Sequence, residues 1–324
     1  MMKNLLKILF APLLWLFHSC SPLGNPVDPE KSDSHYYNNS KSEIRYSPMG
    51  NWFELGNTGM HADVESFEVF NRWLGRDKDQ LFYEAYAVTN LPIDLATFRV
   101  KDEDYMAHIG FDSNFVYAFD KVYEGDAYRG RATIIDGADP KTYVQTDIDW
   151  ANDGKLHFFR NHKIEADFDS FQPLNDYFAK DSSRAYVRND NCFESFGADV
   201  ASLELLGESS HTIDKKNVYW LPFFTENASN PIALPYADKA EVEILNPYFL
   251  RVADTIYYDG QARPDIDNQS FEIIDHSYAK DATHVYYKDN IVENADVATF
   301  RRLEGSYKYI DKNGTYHEGR LEEK

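Results

Sequence analysis

The stretch Asp267-Asn-Gln-Ser270-Phe271, followed by Asp281-Ala-Thr-His284-Val285-Tyr286-Tyr287, decides the fold, because its grammar returns along most of the chain. The opening phrase also reads Asp63-Val-Glu-Ser66-Phe67, Asp94-Leu-Ala-Thr97-Phe98, Asp139-Pro-Lys-Thr142-Tyr143, Asp167-Phe-Asp-Ser170-Phe171, Asp199-Val-Ala-Ser202-Leu203 and Asp296-Val-Ala-Thr299-Phe300. A divergent copy, Asp238-Lys-Ala-Glu241-Val242, completes eight. Self-similarity at about 30 residues signals an array of small supersecondary units.

Each part of the phrase has a physical reading. An Asp three residues before a Ser or Thr suits an N-capped single helical turn, the carboxylate accepting from backbone N–H groups two and three residues on. Apolar companions follow at Phe70, Leu174, Leu206, Leu245, Ile274 and Leu303, and are expected on that turn. An aromatic comes next (Trp73, Trp150, Tyr177, Phe249, Tyr278, Tyr307), then a second Asp (Asp77, Asp153, Asp181, Asp214, Asp281, Asp311) that opens a β-turn. A strand with an aromatic pair closes the unit, as in Phe82-Tyr83, Tyr219-Trp220 and Tyr286-Tyr287. The expected fold is all-β: about eight units of roughly 30 residues, each a β-hairpin or meander with one capped helical turn, forming an open curved array or a propeller-like ring. Alternation puts Val285 and Tyr287 on a core face. Tyr286 then lies with His284 and Lys288, either in a second packing layer or on a surface aromatic ladder.

Asp214-Lys-Lys-Asn-Val-Tyr-Trp220, Asp281-Ala-Thr-His-Val-Tyr-Tyr287 and Asp311-Lys-Asn-Gly-Thr-Tyr316 resemble the DKNYY repeat family of bacterial envelope proteins. The resemblance runs over roughly residues 60 to 320. It is strongest in 167–220 and 267–317 and weakest in 94–135, where an insertion displaces Asp112 and Val116-Tyr117. It implies no activity, cofactor or catalytic residue.

The N-terminus reads as targeting. Lys3 and Lys7 flank an apolar run from Ile8 to Phe17, and Phe17-His18-Ser19-Cys20 resembles a lipobox. The expectation is a lipoprotein signal peptide over 1–19, lipidation at Cys20, a disordered Ser-, Pro- and Asn-rich tether over 20–50, and a β-repeat domain over 51–324. That places the chain in a bacterial cell envelope, at the outer membrane, periplasm or cell surface, with the membrane as a partner through the lipid. Losing Lys3 and Lys7 takes the formal charge from −21 to −23, which disfavours nucleic acid. Cys192 is left without a disulfide partner and reads as a small buried hydrophobe.

The 54 acidic residues invite calcium or glycosidase chemistry. Yet 16 Gly is too few for a Gly-rich calcium β-roll. The loop starting Asp149-Trp-Ala-Asn-Asp153-Gly154 departs from the EF-hand pattern at Ala151 and Arg160. No pair of carboxylates stands out from the repeat columns for glycoside hydrolysis. His157 and His162 flank a hairpin turn, which does not by itself give metal geometry. There is no Gly-x-Ser-x-Gly elbow, Gly-rich phosphate loop or Cys-x-x-Cys. The expectation is no catalytic residue, no metal and no cofactor. The chain reads as a binding or scaffold module for an unknown envelope protein or glycan; the alternative is a carbohydrate-binding or carbohydrate-active protein using aromatic platforms. Two places break the spacing, about 119–136 and 221–237, lengthening their units to 45 and 39 residues. Insertions in arrays form loops on one face, often the binding face.

Overall fold

The computed structural model describes residues 21–101, 106–207, 211–222 and 230–322. The expected signal peptide over 1–19 and Cys20 lie outside them. The chain divides into two compact units, Met1–Glu165 and Ala166–Lys324. Both are built from small antiparallel sheets that follow one another along the chain, so the fold is the expected all-β repeat array.

The second unit is the regular one. Five four-stranded meanders occupy 172–196, 204–235, 242–262, 272–291 and 301–321, each with its strands in chain order. In the 272–291 sheet, Tyr278–Lys280 pairs with Val285–Tyr287, setting Tyr278 opposite Tyr287, Ala279 opposite Tyr286 and Lys280 opposite Val285. Period-two alternation then assigns each side chain to a neighbouring sheet. Ala279 and Tyr286 bury against Phe249, Ile256 and Tyr258 of the preceding sheet. Tyr278 and Val285 bury against Phe300, Tyr309 and Tyr316 of the following one, with Tyr287 packed alongside. The face carrying Tyr286 is therefore a second packing layer and not a surface ladder. A fully buried aromatic contributes roughly 1.5–3 kcal/mol, so the rings supply much of the cohesion between sheets.

The first unit holds a four-stranded sheet over 23–59, a seven-stranded one over 68–134 and a four-stranded one over 144–164. The seven-stranded sheet joins two phrases. The lengthened strand Ala127–Ile134 lies parallel to Tyr86–Val88, pairing Gly130 with Val88. A Cβ at position 130 would sit 2.6 Å from the Tyr86 carbonyl oxygen, so glycine permits the approach.

Residues 21–50 correct the expectation of a disordered tether. Leu23–Pro26, His35–Asn38 and Ile44–Tyr46 form a sheet with Thr58–Gly59, so a boundary at 51 would cut through it. Ile44, Tyr46 and Met60 bury against Phe82 and Ala85 of the next sheet. Part of this polar stretch is internal: Ser32, Ser34, His35 and Ser47 are buried, while Asn25, Asn39 and Ser40 stay exposed. Ser32 Oγ lies 2.8 Å from His35 Nδ1, and Ser47 N–H donates to the Ser34 carbonyl.

A second correction concerns the apolar companions. The helical turn is a single one, with Phe171, Tyr143 and Phe300 N–H donating four residues back to Asp167, Asp139 and Asp296. It is over before Phe70, Leu174, Leu206, Leu245, Ile274 and Leu303. Those residues close the first hairpin of their units, as where Ile274 N–H donates to the Tyr278 carbonyl.

Candidate functional site

The two Asp columns form one clasp. In the 267 unit, Asp281 Oδ1 accepts from the backbone N–H groups of Thr283 and His284 and from the Thr283 hydroxyl. Its Oδ2 accepts from the Asp267 N–H at 3.1 Å and the Tyr286 hydroxyl at 2.7 Å. Ser270 completes the link: its hydroxyl donates to Asp267 and accepts from the Ala282 N–H. The first Asp is thus tied to the second both directly and through Ser or Thr. The same Asp-to-Asp bond recurs at 63 with 77, 94 with 112, 139 with 153, 167 with 181, 199 with 214 and 296 with 311. The displaced Asp112 is therefore in register, and it also accepts from Tyr117.

This arrangement explains the electrostatics of the second column. Burial, the largest influence, pushes the Asp181 and Asp281 carboxyls upward. The Tyr186 or Tyr286 hydroxyl and three backbone N–H groups outweigh it, holding both well below the usual carboxylate range. Tyr219 and Tyr316, buried and bonded to Asp214 and Asp311, are pushed up to about 12. A cation approaching these carboxylates would meet the positive ends of N–H and O–H dipoles, so the column suits turn-making and not coordination. The EF-hand-like loop is likewise spent internally. Asp149 pairs with Arg160 at 2.9 Å, and Asp153 accepts from Lys155 and Leu156 N–H. Among the described residues no three His, Cys, Asp or Glu side chains form a metal-holding group.

Of the two spacing breaks, 119–136 lies wholly within the described residues. Val116–Glu124 and Ala127–Ile134 form a hairpin closed by Gly125-Asp126, Gly125 taking φ 67°. Its root is fixed by Phe119 and Ala132 in the core. Asn90 also holds Ala132 through both backbone groups, at 2.8 and 3.0 Å. Its outer half exposes a cross-strand pair, Tyr123 (64%) and Tyr128 (49%), with ring centroids 5.0 Å apart. Tyr86 from the adjoining strand adds a third ring 5.8 Å from Tyr128, and Lys121 Nζ lies 5.5 Å over that ring. The flanking charges are paired: Lys121 with Glu84 at 2.5 Å, and Arg131 with Asp120 through two bonds. The second break is only partly a loop. Ile232–Pro235 pairs with Asn217–Trp220, while 223–229 lie outside the described residues.

The remaining sequence candidates do not converge. Cys192 is half-buried on Cys192–Phe196, and burial pushes its thiol up. His157 faces Ile164 and His162 faces Phe159, so the two imidazoles are not opposed. A third Asx column was missed: Asn71, Asp147, Asn175, Asn246 and Asp275 each accept from the N–H groups two and three residues on. Its signal was available, since each stands three residues before a residue of the second strand. Two buried histidines were missed as well. Burial pushes His35 and His211 down to about 4, outweighing the opposing charge of Asp33 at His35.

Residues 150–320 match the family described as the DKNYY family. No curated protein matches the chain. No solved structure matches it either.

Proposed function

The chain belongs to the DKNYY family, and from that premise we propose that it is a non-catalytic, lipid-anchored cell-envelope repeat protein that binds a protein partner through the 116–134 hairpin. The observation carrying this reading is the exposed Tyr123 and Tyr128 pair, with the half-buried Tyr86 beside it, on a hairpin with its root in the core. Rigid Tyr rings present large amphipathic area at low entropic cost, which is why they anchor interfaces. Two of the flanking cations, Lys121 and Arg131, already have acidic partners. The Asp columns that first suggested carboxylate chemistry hold turns. Lipid anchoring rests on Lys3, Lys7, the apolar run and Cys20.

The test is capture from envelope extracts with the chain from residue 20 carrying Cys20→Ser. Wild type should retain a protein at stoichiometric yield, and Tyr123→Ser with Tyr128→Ser should lose it while keeping its melting temperature. Equal capture by the double variant would move the site elsewhere. Retention on polysaccharide with no protein captured would favour the glycan alternative.

A further inference from the structure

Residues 48–56 form the most apolar exposed loop of the first sheet: Pro48-Met49-Gly50-Asn51-Trp52-Phe53-Glu54-Leu55-Gly56. Phe53 is 73% exposed, Met49 58% and Leu55 51%, and the Trp52 ring meets the Phe53 ring edge-on at 5.8 Å. Three large apolar side chains more than half exposed within seven residues form a patch, which is unlike scattered surface hydrophobes.

The loop is well tied. Ser47 Oγ donates to the Gly56 carbonyl at 2.9 Å, closing its base. Leu55 N–H donates to the Asn51 carbonyl, Asn51 N–H to Pro48, and Met49 N–H to Ser34 Oγ. Its single charge, Glu54, accepts from the Asn51 amide at 2.8 Å. Much of its backbone is thus satisfied within the protein, as contact with a low-dielectric surface requires. No Lys or Arg lies between Tyr46 and Met60.

What covers the patch follows from where the chain outside the structure ends. The first strand begins at Leu23, and the Ser21 carbonyl before it accepts from the Asn39 side chain at 2.7 Å. Two residues, Ser21 and Pro22, stand between Cys20 and the first strand. The chain enters beside Asn38, while the loop leaves Tyr46 at the other end of the strands, next to His35. Strands of three or four residues separate these ends by roughly 10–13 Å. We propose that the Met49, Trp52, Phe53 and Leu55 loop dips into the interfacial layer of a zwitterionic bilayer. With the anchor as one contact and the loop as the other, the strands of the first sheet lie along the membrane plane. Trp and Phe suit the headgroup boundary, and the lack of basic residues disfavours recognition of anionic lipid. The orientation rests on the anchoring proposed above; the loop's affinity for lipid does not.

The processed full-length chain is reconstituted into phosphatidylcholine vesicles carrying bromine near the headgroup end of the acyl chains. Tryptophan emission should be quenched, and Trp52→Phe should remove the quenched component. In parallel, the Cys20→Ala chain is added to plain vesicles. Phe53→Ser with Leu55→Ser should lower its partitioning roughly tenfold or more, with an unchanged melting temperature showing that the variant folds. A quenched Trp52 without fatty-acid labelling at Cys20 would keep the loop contact and overturn the anchor. Labelled protein whose Trp52 is not quenched would overturn the loop contact and leave the anchor standing.

Discussion

The 272–291 and 242–262 sheets do the same packing job with different turns. In the first, Tyr278–Lys280 passes to Val285–Tyr287 through a four-residue turn held by Asp281. In the second, Phe249–Val252 passes to Thr255–Tyr258 through Ala253-Asp254 alone, with Ala253 at φ 49°. Asp254 is exposed, and Glu241 stands where other units carry Ser or Thr. The strands of this second hairpin are each one residue longer, so an extra pair of residues faces across it. The Asp clasp is thus one solution to joining short strands. A tight left-handed turn between longer strands is the other, and both give sheets that stack on their neighbours.

If that comparison holds, the largest effect should come from Asp281→Asn. An amide nitrogen cannot accept from both Asp267 N–H and the Tyr286 hydroxyl, so buried donors lose their acceptor at about 1–3 kcal/mol each. Denaturant unfolding should show a loss of about 3 kcal/mol, with faster amide exchange at Asp267. Asp254→Asn, at the corresponding turn of the 242–262 sheet, should stay within about 0.5 kcal/mol. Equal losses at the two positions would erase the distinction.

Acid should separate the clasp from the other buried titratable groups. His35 and His211 ionise near 4 when folded and near 6.5 when unfolded, so the unfolded chain binds more protons between those values. Their contribution is complete above about 6.5 and falls away as pH drops through about 4. Asp181 and Asp281 are held below the carboxylate range, so their stabilisation is present above about 3.8 and is lost only under stronger acid. His35→Phe with His211→Phe should flatten stability between pH 6.5 and 4 and leave the later loss. Asp281→Asn should weaken that later loss. Carboxyl chemical shifts of Asp281 still moving at pH 4 to 5 would contradict the assignment.

The clasp was half legible in the sequence, because Asp and Ser are read from local backbone geometry and local geometry repeats. The Tyr286 hydroxyl was not: alternation placed it beside His284 and Lys288, and only the stacked preceding sheet turns that face inward. The sheet over 23–59 was hidden for a related reason. Its interior includes Ser32, Ser34, His35 and Ser47, whose hydrogen bonds make a polar stretch packable. The 116–134 hairpin was visible as a break in spacing, since an insertion leaves a count. The exposure of Tyr123 and Tyr128 depends on how far that hairpin outruns its sheet, and the count does not give it. The third Asx column escaped because its residues sit between apolar positions that drew the reading toward a helix.

The smallest effect should sharpen the comparison most, because it isolates one hydroxyl. Ser270 Oγ donates to Asp267 and accepts from the Ala282 N–H, joining two turns that the direct Asp267 to Asp281 bond also joins. Ser270→Ala leaves that direct bond in place and frees one amide near the surface, so the expected loss is about 1 kcal/mol, comparable to removing a helix cap. Glu241→Ala, at the same place in the 242–262 sheet, should cost about 0.5 kcal/mol or less: there Asp238 caps Ala240 N–H, and the hairpin is held by Ala253 N–H donating to the Glu241 carbonyl. In the Asp281→Asn background, Ser270→Ala should cost less than it does alone, because both substitutions cut the same junction. Full additivity in that double-mutant cycle would mean that the two links act independently, and that the clasp is two turns side by side instead of one unit.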